Sequence, residues 1–235
     1  MIGIGKKKAG LSPVDRGTLA ERVYDQIREA IIDGKLIPGE TVTLRSLADQ
    51  LETSPMPVRA AVNKLEAELA LTVKPNRSIV VPIVSKERLE EILQIRTEIE
   101  GMMAEVSASK ISKGELKSLE ILHNKVCDCI KEKKLKDFLS HNKKFHFAIY
   151  QAAKMPTSMT IVENMWLRNA PMFNFLLTDE KTNPYLNRDS TFDPVKDHFN
   201  ALVALRNGDG PAARIAIQSD IRKSFNYLKS IDSFN

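Results

Sequence analysis

Residues 41–62 read TVTLRSLADQLETSPMPVRAAV, and this stretch decides the fold of the N-terminal part. Thr43 is a helix-capping residue set before Leu44, Leu47, Ala48 and Leu51, whose spacing gives a short helix one buried side. After a tight break Ser54 opens a second helix. Pro55 falls at the first helical position, where a missing N–H costs nothing. Pro57 is still within the first turn and removes no intrahelical bond, although it pushes Met56 away from helical angles. The free Met56 N–H is expected to meet the Ser54 side chain. Along the second helix, Val58, Ala61, Val62, Leu65 and Leu69 make a core side. Met56, Arg59, Asn63 and Glu66 lie opposite. A helix, a break and a second capped helix are the layout of a helix-turn-helix reader of duplex DNA.

A B-form major groove admits one α-helix, and side chains near its N-terminus read the base edges. The face bearing Ser54, Met56, Pro57, Arg59 and Asn63 is therefore the candidate reading face. Arg59 can donate two parallel hydrogen bonds to guanine O6 and N7, an arrangement that contributes roughly 1–3 kcal/mol of discrimination. Arg45, on the preceding helix, suits a phosphate or a flanking base. Upstream, Leu19, Val23, Ile27 and Ile31 recur at a four-residue step, a helical stripe that Gly34 is placed to stop; Pro38-Gly39 marks a turn. Downstream, residues 71–82 (LTVKPNRSIVVP) read as a short basic hairpin, with Asn76 and Arg77 at its tip as candidates for backbone or minor-groove contact. A single arginine is most often a solvated charge. Capped helix, turn, second helix and basic wing in this order point to DNA.

The rest of the chain sets bounds. It has 235 residues, 43% hydrophobic and 28% charged, ordinary values for a soluble globular protein. No apolar run approaches the ~18–20 residues of a membrane span. The opening MIGIGKKKAG is basic but no sustained apolar segment follows, which argues against a secretory signal; residues 1–14 read as a mobile arm. Two cysteines do not make a disulfide framework, and a reducing cytoplasmic compartment fits. A net charge of +5 and a pI near 9.1 permit nucleic-acid binding without establishing it.

Pro82-Ile83-Val84-Ser85 is the expected boundary between a winged helix-turn-helix over 15–83 and an all-helical unit over 84–235. Beyond it the pattern is helical, near 86–110, 113–133, 135–153, 156–177, 191–207 and 210–231. The breaks fall at Lys113-Gly114, at Met155-Pro156, in the polar run 179–190 and at Gly208-Asp209-Gly210-Pro211. The fold class expected is mainly α, with a small β hairpin confined to the wing and a bundle of six to seven helices behind it.

Chemistry in the helical half centres on four residues. Asn142 and His146 project from one helix face, one turn apart. His198 lies in the next-to-last helix and Asp220 in the last. Together they offer two imidazoles, a carboxylate and an amide oxygen, a mixed set suited to Zn, Ni, Mn or Fe. Against this, a lone histidine on a helix is usually a surface or satisfied core group. Arg96 falls in the apolar row of Leu89, Ile92, Ile99, Met103 and Val106, where a guanidinium is costly unless an anion pairs with it. Glu100, one turn on, Glu98 on a rotated helix, or a ligand carboxylate held bidentately can serve. Cys127 and Cys129 point to different helix faces and make no zinc knuckle. His123 reads as isolated, and His141 faces away from Asn142. Met155, Met159, Met165 and Met172, with Trp166, Phe173 and Phe175, read as core, part of which can line a pocket.

Residues 19–82 resemble the winged helix of the GntR family of bacterial transcription regulators. That family's first helix ends in a G-x-L-x-P-G turn, followed by L-A and then S-x-x-P-V-R-x-A. Here stand Gly34-Lys35-Leu36-Ile37-Pro38-Gly39, then Leu47-Ala48, then Ser54-Pro55-Met56-Pro57-Val58-Arg59-Ala60-Ala61. Three positions depart from the pattern. Pro55 replaces a DNA-touching arginine, Ala60 a glutamate, and Ser78 the wing glycine. Residues 86–232 resemble the FadR-type C-terminal effector domain of that family, of the FCD type. Its metal-binding members carry an Asp and a His four apart, a further His, and another His 22 residues on. Asn142, His146, His198 and Asp220 keep that spacing, with Asn in place of the Asp and Asp in place of the last His, so the formal charge is kept. Asn is the weaker ligand, which implies reduced affinity. The resemblance also implies that Arg96 holds the carboxylate of a small-acid effector. It implies a homodimer that binds palindromic double-stranded operator DNA, most commonly as a repressor, with no membrane partner. Two other readings remain at this point: a metal-dependent hydrolase using His146, His198 and Asp220, and a helical interaction module without a small ligand.

Overall fold

The computed structural model describes residues 18–177, 193 and 195–230. The arm assigned to 1–14 and the polar run 179–190 lie outside the described residues. In chain order the elements are α1 (Leu19–Ile32), β1 (Thr41–Val42), α2 (Leu44–Gln50), α3 (Pro55–Ala67), β2 (Thr72–Val73) and β3 (Ile79–Val80). They continue with α4 (Lys86–Ala108), α5 (Lys113–Lys131), α6 (Leu135–Ala152), α7 (Pro156–Asn169), a 3-10 helix (Ala170–Leu177), α8 (Lys196–Asn207) and α9 (Gly210–Ser230). The fold class is the expected one, a winged helix-turn-helix followed by an all-helical bundle.

Thr18 and Glu21 close a capping box at the start of α1, which buries Val23, Ile27, Ile31 and Ile32. Leu19 does not join that stripe: it is 49% exposed, because the first turn overhangs the core. The helix gives way to Gly34, which takes φ +70°. Tyr24 on α1 donates to both carboxylate oxygens of Glu68 at 2.9 and 2.8 Å, tying α1 to the end of α3. Thr43 caps α2 by accepting from the Ser46 N–H at 3.1 Å.

Ser54 has the extended backbone of an N-cap, but its side chain makes no cap hydrogen bond. The usual targets are the second and third helical N–H groups; Pro57 removes the third, and the Met56 N–H is not captured. Leu69, expected on the core side of α3, is 45% exposed, because the chain leaves the helix there at φ +61°.

Three strands replace the expected hairpin. Their order is β1-β3-β2, with Thr41 and Thr72 both opposite Val80 and Val42 and Val73 both opposite Ile79. A two-residue strand shows no alternation to read, so β1 has no sequence signature. At the wing tip, Asn76 Oδ1 accepts from the Ser78 N–H at 3.1 Å and its hydroxyl at 2.7 Å. The left-handed residue is Arg77, at φ +65°. Ser78 is thus not asked to do what a glycine would, and it is buried.

In the bundle, the long α4, capped by Ser85, packs chiefly along α9, α5 along α6, and α8 along α9. Gly101 permits the closest part of the α4–α9 contact, since a Cβ there would stand 2.8 Å from Gln218 Cγ. Helix α7 stops at Asn169, where the sequence pattern ran on to 177, and the chain tightens into the 3-10 helix around Pro171.

Each half has its own apolar core. Leu167 and Ala170 of the bundle pack into the N-terminal core. Arg168 Nε donates to the Glu68 carbonyl at 3.0 Å across the same seam, and Arg28 approaches Glu163 at 3.5 Å. Among the described residues, no helix is long and apolar enough to cross a membrane.

Candidate DNA interface and buried polar centre

Helix α3 and the wing flank one groove, to which Arg59, Asn63 and Arg77 all contribute. Arg59, Asn63, Arg77, Arg45 and Ser54 are exposed, and Met56 is 81% exposed. Pro57 sits half-buried at the base of the first turn. Among the described residues Arg59 is engaged in no ion pair, so its guanidinium is free to meet a ligand. Two candidates differ from expectation. The Asn76 carbonyl oxygen is committed to the turn, which leaves only its amide N–H groups for contact. Glu66, placed on the reading face by spacing, instead accepts the Val73 N–H at 2.9 Å. It braces the wing against α3.

The second site lies in the bundle. Asn142, His146 and Tyr150 form one row on α6 at steps of four residues. His198 comes from α8 and Asp220 from α9. His146 Nε2 stands 3.3 Å from His198 Nε2 and 3.2 Å from Asp220 Oδ2, and Asp220 Oδ1 is 3.6 Å from His198 Nε2. The ligand atoms of these three residues all lie within 4.8 Å of one another. Asn142 lines the same cavity one turn away, together with Arg96. The Phe145 ring stacks on His198 at 4.2 Å and fixes its plane.

Protons in this centre are dictated by a relay. Glu100, fully buried, accepts from the Tyr150 hydroxyl at 2.6 Å, from Trp166 Nε1 at 3.2 Å, and from Arg96 Nε and Nη2. Tyr150 spends its own proton on Glu100, so its oxygen must accept from His146 Nδ1, 3.0 Å away. Burial, and then Glu100, hold the Tyr150 phenol well above its ordinary range, so it keeps that proton. His146 therefore carries hydrogen on Nδ1 and turns Nε2 toward Asp220. An imidazole lone pair facing a carboxylate is repulsive unless a proton or a cation lies between them.

His198 is held down to about 3, chiefly by burial against the pull of Asp220, and is neutral. Burial pushes the Asp220 carboxyl up, but His198, His146 and Arg96 outweigh it and set it below its usual range. A neutral His198, an ionised Asp220 and His146 Nε2 converge, a donor set that a divalent cation can take. The residues present fit such a cation, and the Tyr150 bond to Nδ1 supplies the outer partner that orients a metal-bound histidine.

Residues 19–81 match the profile of the bacterial regulatory proteins of the gntR family, and residues 91–223, more than half the chain, match the FCD domain. The chain belongs to the GntR family, in its FCD-domain branch. The HTH-type transcriptional regulator McbR of Escherichia coli strain K12 is 29% identical over 214 residues, covering 91% of each protein. The HTH-type transcriptional repressor RspR of the same organism is 22% identical over 215 residues, covering 92% of this chain and 91% of that protein. The solved structure of E. coli McbR/YncC superposes with a TM-score of 0.84 at 27% identity, covering 93% of this chain and all of that one. A GntR-type structure from Rhodococcus sp. RHA1, at 17% identity and TM-score 0.71 over 89% of this chain and 97% of that one, shares the fold.

As a GntR-family regulator the chain is a DNA-binding transcription factor and not an enzyme, so the hydrolase alternative gives way. The winged head explains the groove of Arg59, Asn63 and Arg77. In the FCD domain the guanidinium of Arg96 is buried, as its place in an apolar row requires, and Glu100 is its partner. The bidentate edge is thereby occupied: Nε and Nη2 serve Glu100, and only Nη1 is left, buried without a partner. Glu98 is engaged elsewhere, with Arg214 at 2.7 Å.

Sequence reasoning missed Tyr150, although its place one turn beyond His146 was a usable signal. Trp166 and Phe173, assigned to the core, line the cavity; Met172 is fully buried, and Met155, Met159 and Met165 are half-buried, while the Phe175 side chain lies outside the described residues. His123 is not isolated: it lies 3.6 Å from Cys127 Sγ and edge-on to His198. Cys129 meets His141 instead, at 3.9 Å, so the two cysteines do point apart.

Proposed function

We propose that this GntR-family protein is a cytoplasmic, ligand-responsive repressor. Residues 15–83 act as the DNA-binding head. The unit over 84–235 dimerises and binds a small carboxylic acid beside a divalent metal. The observation that carries this reading is the Arg96 Nη1, a cationic donor buried without a partner in the wall of the cavity that holds His146 and Asp220. Burying such a donor unpaired is costly. A ligand-free interaction module gives that donor no purpose, and an anion entering the cavity does.

His146, His198 and Asp220 would hold the metal, with the Asn142 amide oxygen as a weaker fourth ligand. Zn, Ni, Mn and Fe all accept this donor set. Bound there, such an ion would supply a Lewis-acid contact for a ligand carboxylate. The chain's own groups do the rest: Tyr150 fixes the His146 tautomer, and Arg96 offers Nη1 to the acid. Glu100 anchors Arg96, while Trp166 stacks beneath the guanidinium, 4.4 Å from its ring centre.

A two-fold dimer presents two α3 helices to a palindromic operator with half-sites about one turn apart. Differential binding of the acid to two head arrangements then alters operator affinity. Similarity to the RspR repressor favours repression over activation. The test is Arg96→Ala, read with metal analysis and mass spectrometry of co-purifying acids. The variant should lose its response to acid and keep operator affinity. Equal loss of both would count against the assignment.

A further inference from the structure

Lys143 stands between the two halves of the molecule. It follows Asn142 on α6 and lines the cavity shared by Arg96, His146 and Asp220. Its ammonium donates to Glu29 Oε2 at 2.9 Å and lies 3.9 Å from Asp33 Oδ1. Glu29 is on α1, the first helix of the DNA-binding head, and Asp33 is just past its end. Ile32, from the same helix, is part of the cavity wall. The Lys143 side chain is 17% exposed, Glu29 51% and Asp33 28%. The lysine is thus held at the rim of the cavity by acids that stand partly in water, a screened and weak arrangement. An anion inside the cavity, less screened, binds the same ammonium more strongly.

We propose that Lys143 is the second anion-reading group of the effector cavity, so that the acid bound there is a dicarboxylate. This rests on the carboxylate reading given above. One carboxylate is held at Arg96 and the metal, and the other takes Lys143 from Glu29 and Asp33. The charges agree. Arg96 and Glu100 cancel, a divalent cation over Asp220 leaves one positive charge, and Lys143 adds a second once it is drawn away from Glu29 and Asp33. A dianion neutralises both. Drawing the ammonium inward lengthens its contacts with Glu29 and Asp33, so occupancy loosens the α1 edge of the seam. The Arg168–Glu68 and Arg28–Glu163 contacts remain.

Succinate and butyrate share a four-carbon chain and differ in the second carboxylate. They are the probes, titrated calorimetrically into the full-length protein with zinc present. Wild type should bind succinate about tenfold more tightly than butyrate, the worth of one added charge-assisted contact. Lys143→Met should bring succinate down to the level of butyrate. Glu29→Gln combined with Asp33→Asn frees the ammonium and should tighten succinate several-fold without changing butyrate, a gain that a purely structural lysine would not give. Amide exchange along Leu19–Ile32 should rise with succinate and not with butyrate. Equal affinity for the two acids, weaker succinate binding by the double variant, or unchanged exchange overturns the role of Lys143 and leaves the carboxylate cavity standing. Failure of both acids to bind overturns the cavity reading and the role of Lys143 with it. Should Lys143→Met fail to fold, the double variant decides alone.

Discussion

In the proposed reading Arg59 acts by being unoccupied. Its guanidinium is exposed in the groove between α3 and the wing, so its removal leaves no buried partner stranded. Arg59→Ala should weaken operator binding by about 1–3 kcal/mol per half-site, or roughly 5- to 150-fold each, while the melting temperature stays within a degree or so. Fluorescence anisotropy on operator DNA and a thermal melt separate the two; a large drop in melting temperature would assign Arg59 to the scaffold. Tyr150 is the opposite case, a residue whose value lies entirely in what it touches. Tyr150→Phe removes the acceptor that orients His146 while keeping the ring packed. Metal affinity, read by competition with a chromogenic chelator, should fall about 10- to 100-fold. Unchanged affinity would mean that His146 is positioned without the phenol. Single residues were unevenly legible. Periodicity alone placed Asn142 and His146 on one helix face; that His198 and Asp220 join them came from the resemblance to the FCD-type effector domain, because three separate helices supply the three groups. The Arg96–Glu100 pairing was visible as one of several options, since a four-residue step allows a partner but does not choose it.

Helices were readable where periodicity and a cap agree, as with Thr43 at α2; the caps of Thr18 and Glu21 at α1 and of Ser85 at α4 emerged only in the structure. They were misread where tertiary contacts decide. Glu66 shares the spacing of the reading face, yet its carboxylate turns to the wing because the Val73 N–H is in reach. Strand β1 went unseen because its two residues gain their identity only by pairing with β3. From this follows a test of the wing as an element. Glu66→Ala deprives a half-buried N–H of its charged acceptor and should cost the head about 1–2 kcal/mol in urea unfolding. Glu66→Gln, which retains an acceptor oxygen, should cost less than half of that. Equal losses in the two variants would place the effect in side-chain packing and not in the hydrogen bond.

At the scale of the whole molecule, the docking of head on bundle was the part no local pattern announced. Leu167 and Ala170 are ordinary helix residues until the head's core closes over them, and Ile32 becomes a cavity residue only through that docking. Arg45, Arg59 and Arg77 all project from the docked head into solvent, with the pI near 9.1 supplying a favourable background field. The proposed two-fold dimer would double that set of cations on one face of a duplex. If it neutralises about 6–10 phosphates, operator affinity should fall roughly 10³- to 10⁵-fold between 50 and 200 mM salt, with log affinity linear in log salt. If Arg45 meets a phosphate and not a flanking base, Arg45→Ala removes one cation per head and should lower that slope by about 2 for the dimer and leave sequence preference untouched, because phosphate contacts position the protein without reading bases. Arg59→Ala should instead flatten the preference for one base pair in each half-site. A slope that drops by about 1 with Arg45→Ala would mean that a single head engages the DNA, and the two-fold arrangement on a palindrome would have to be abandoned.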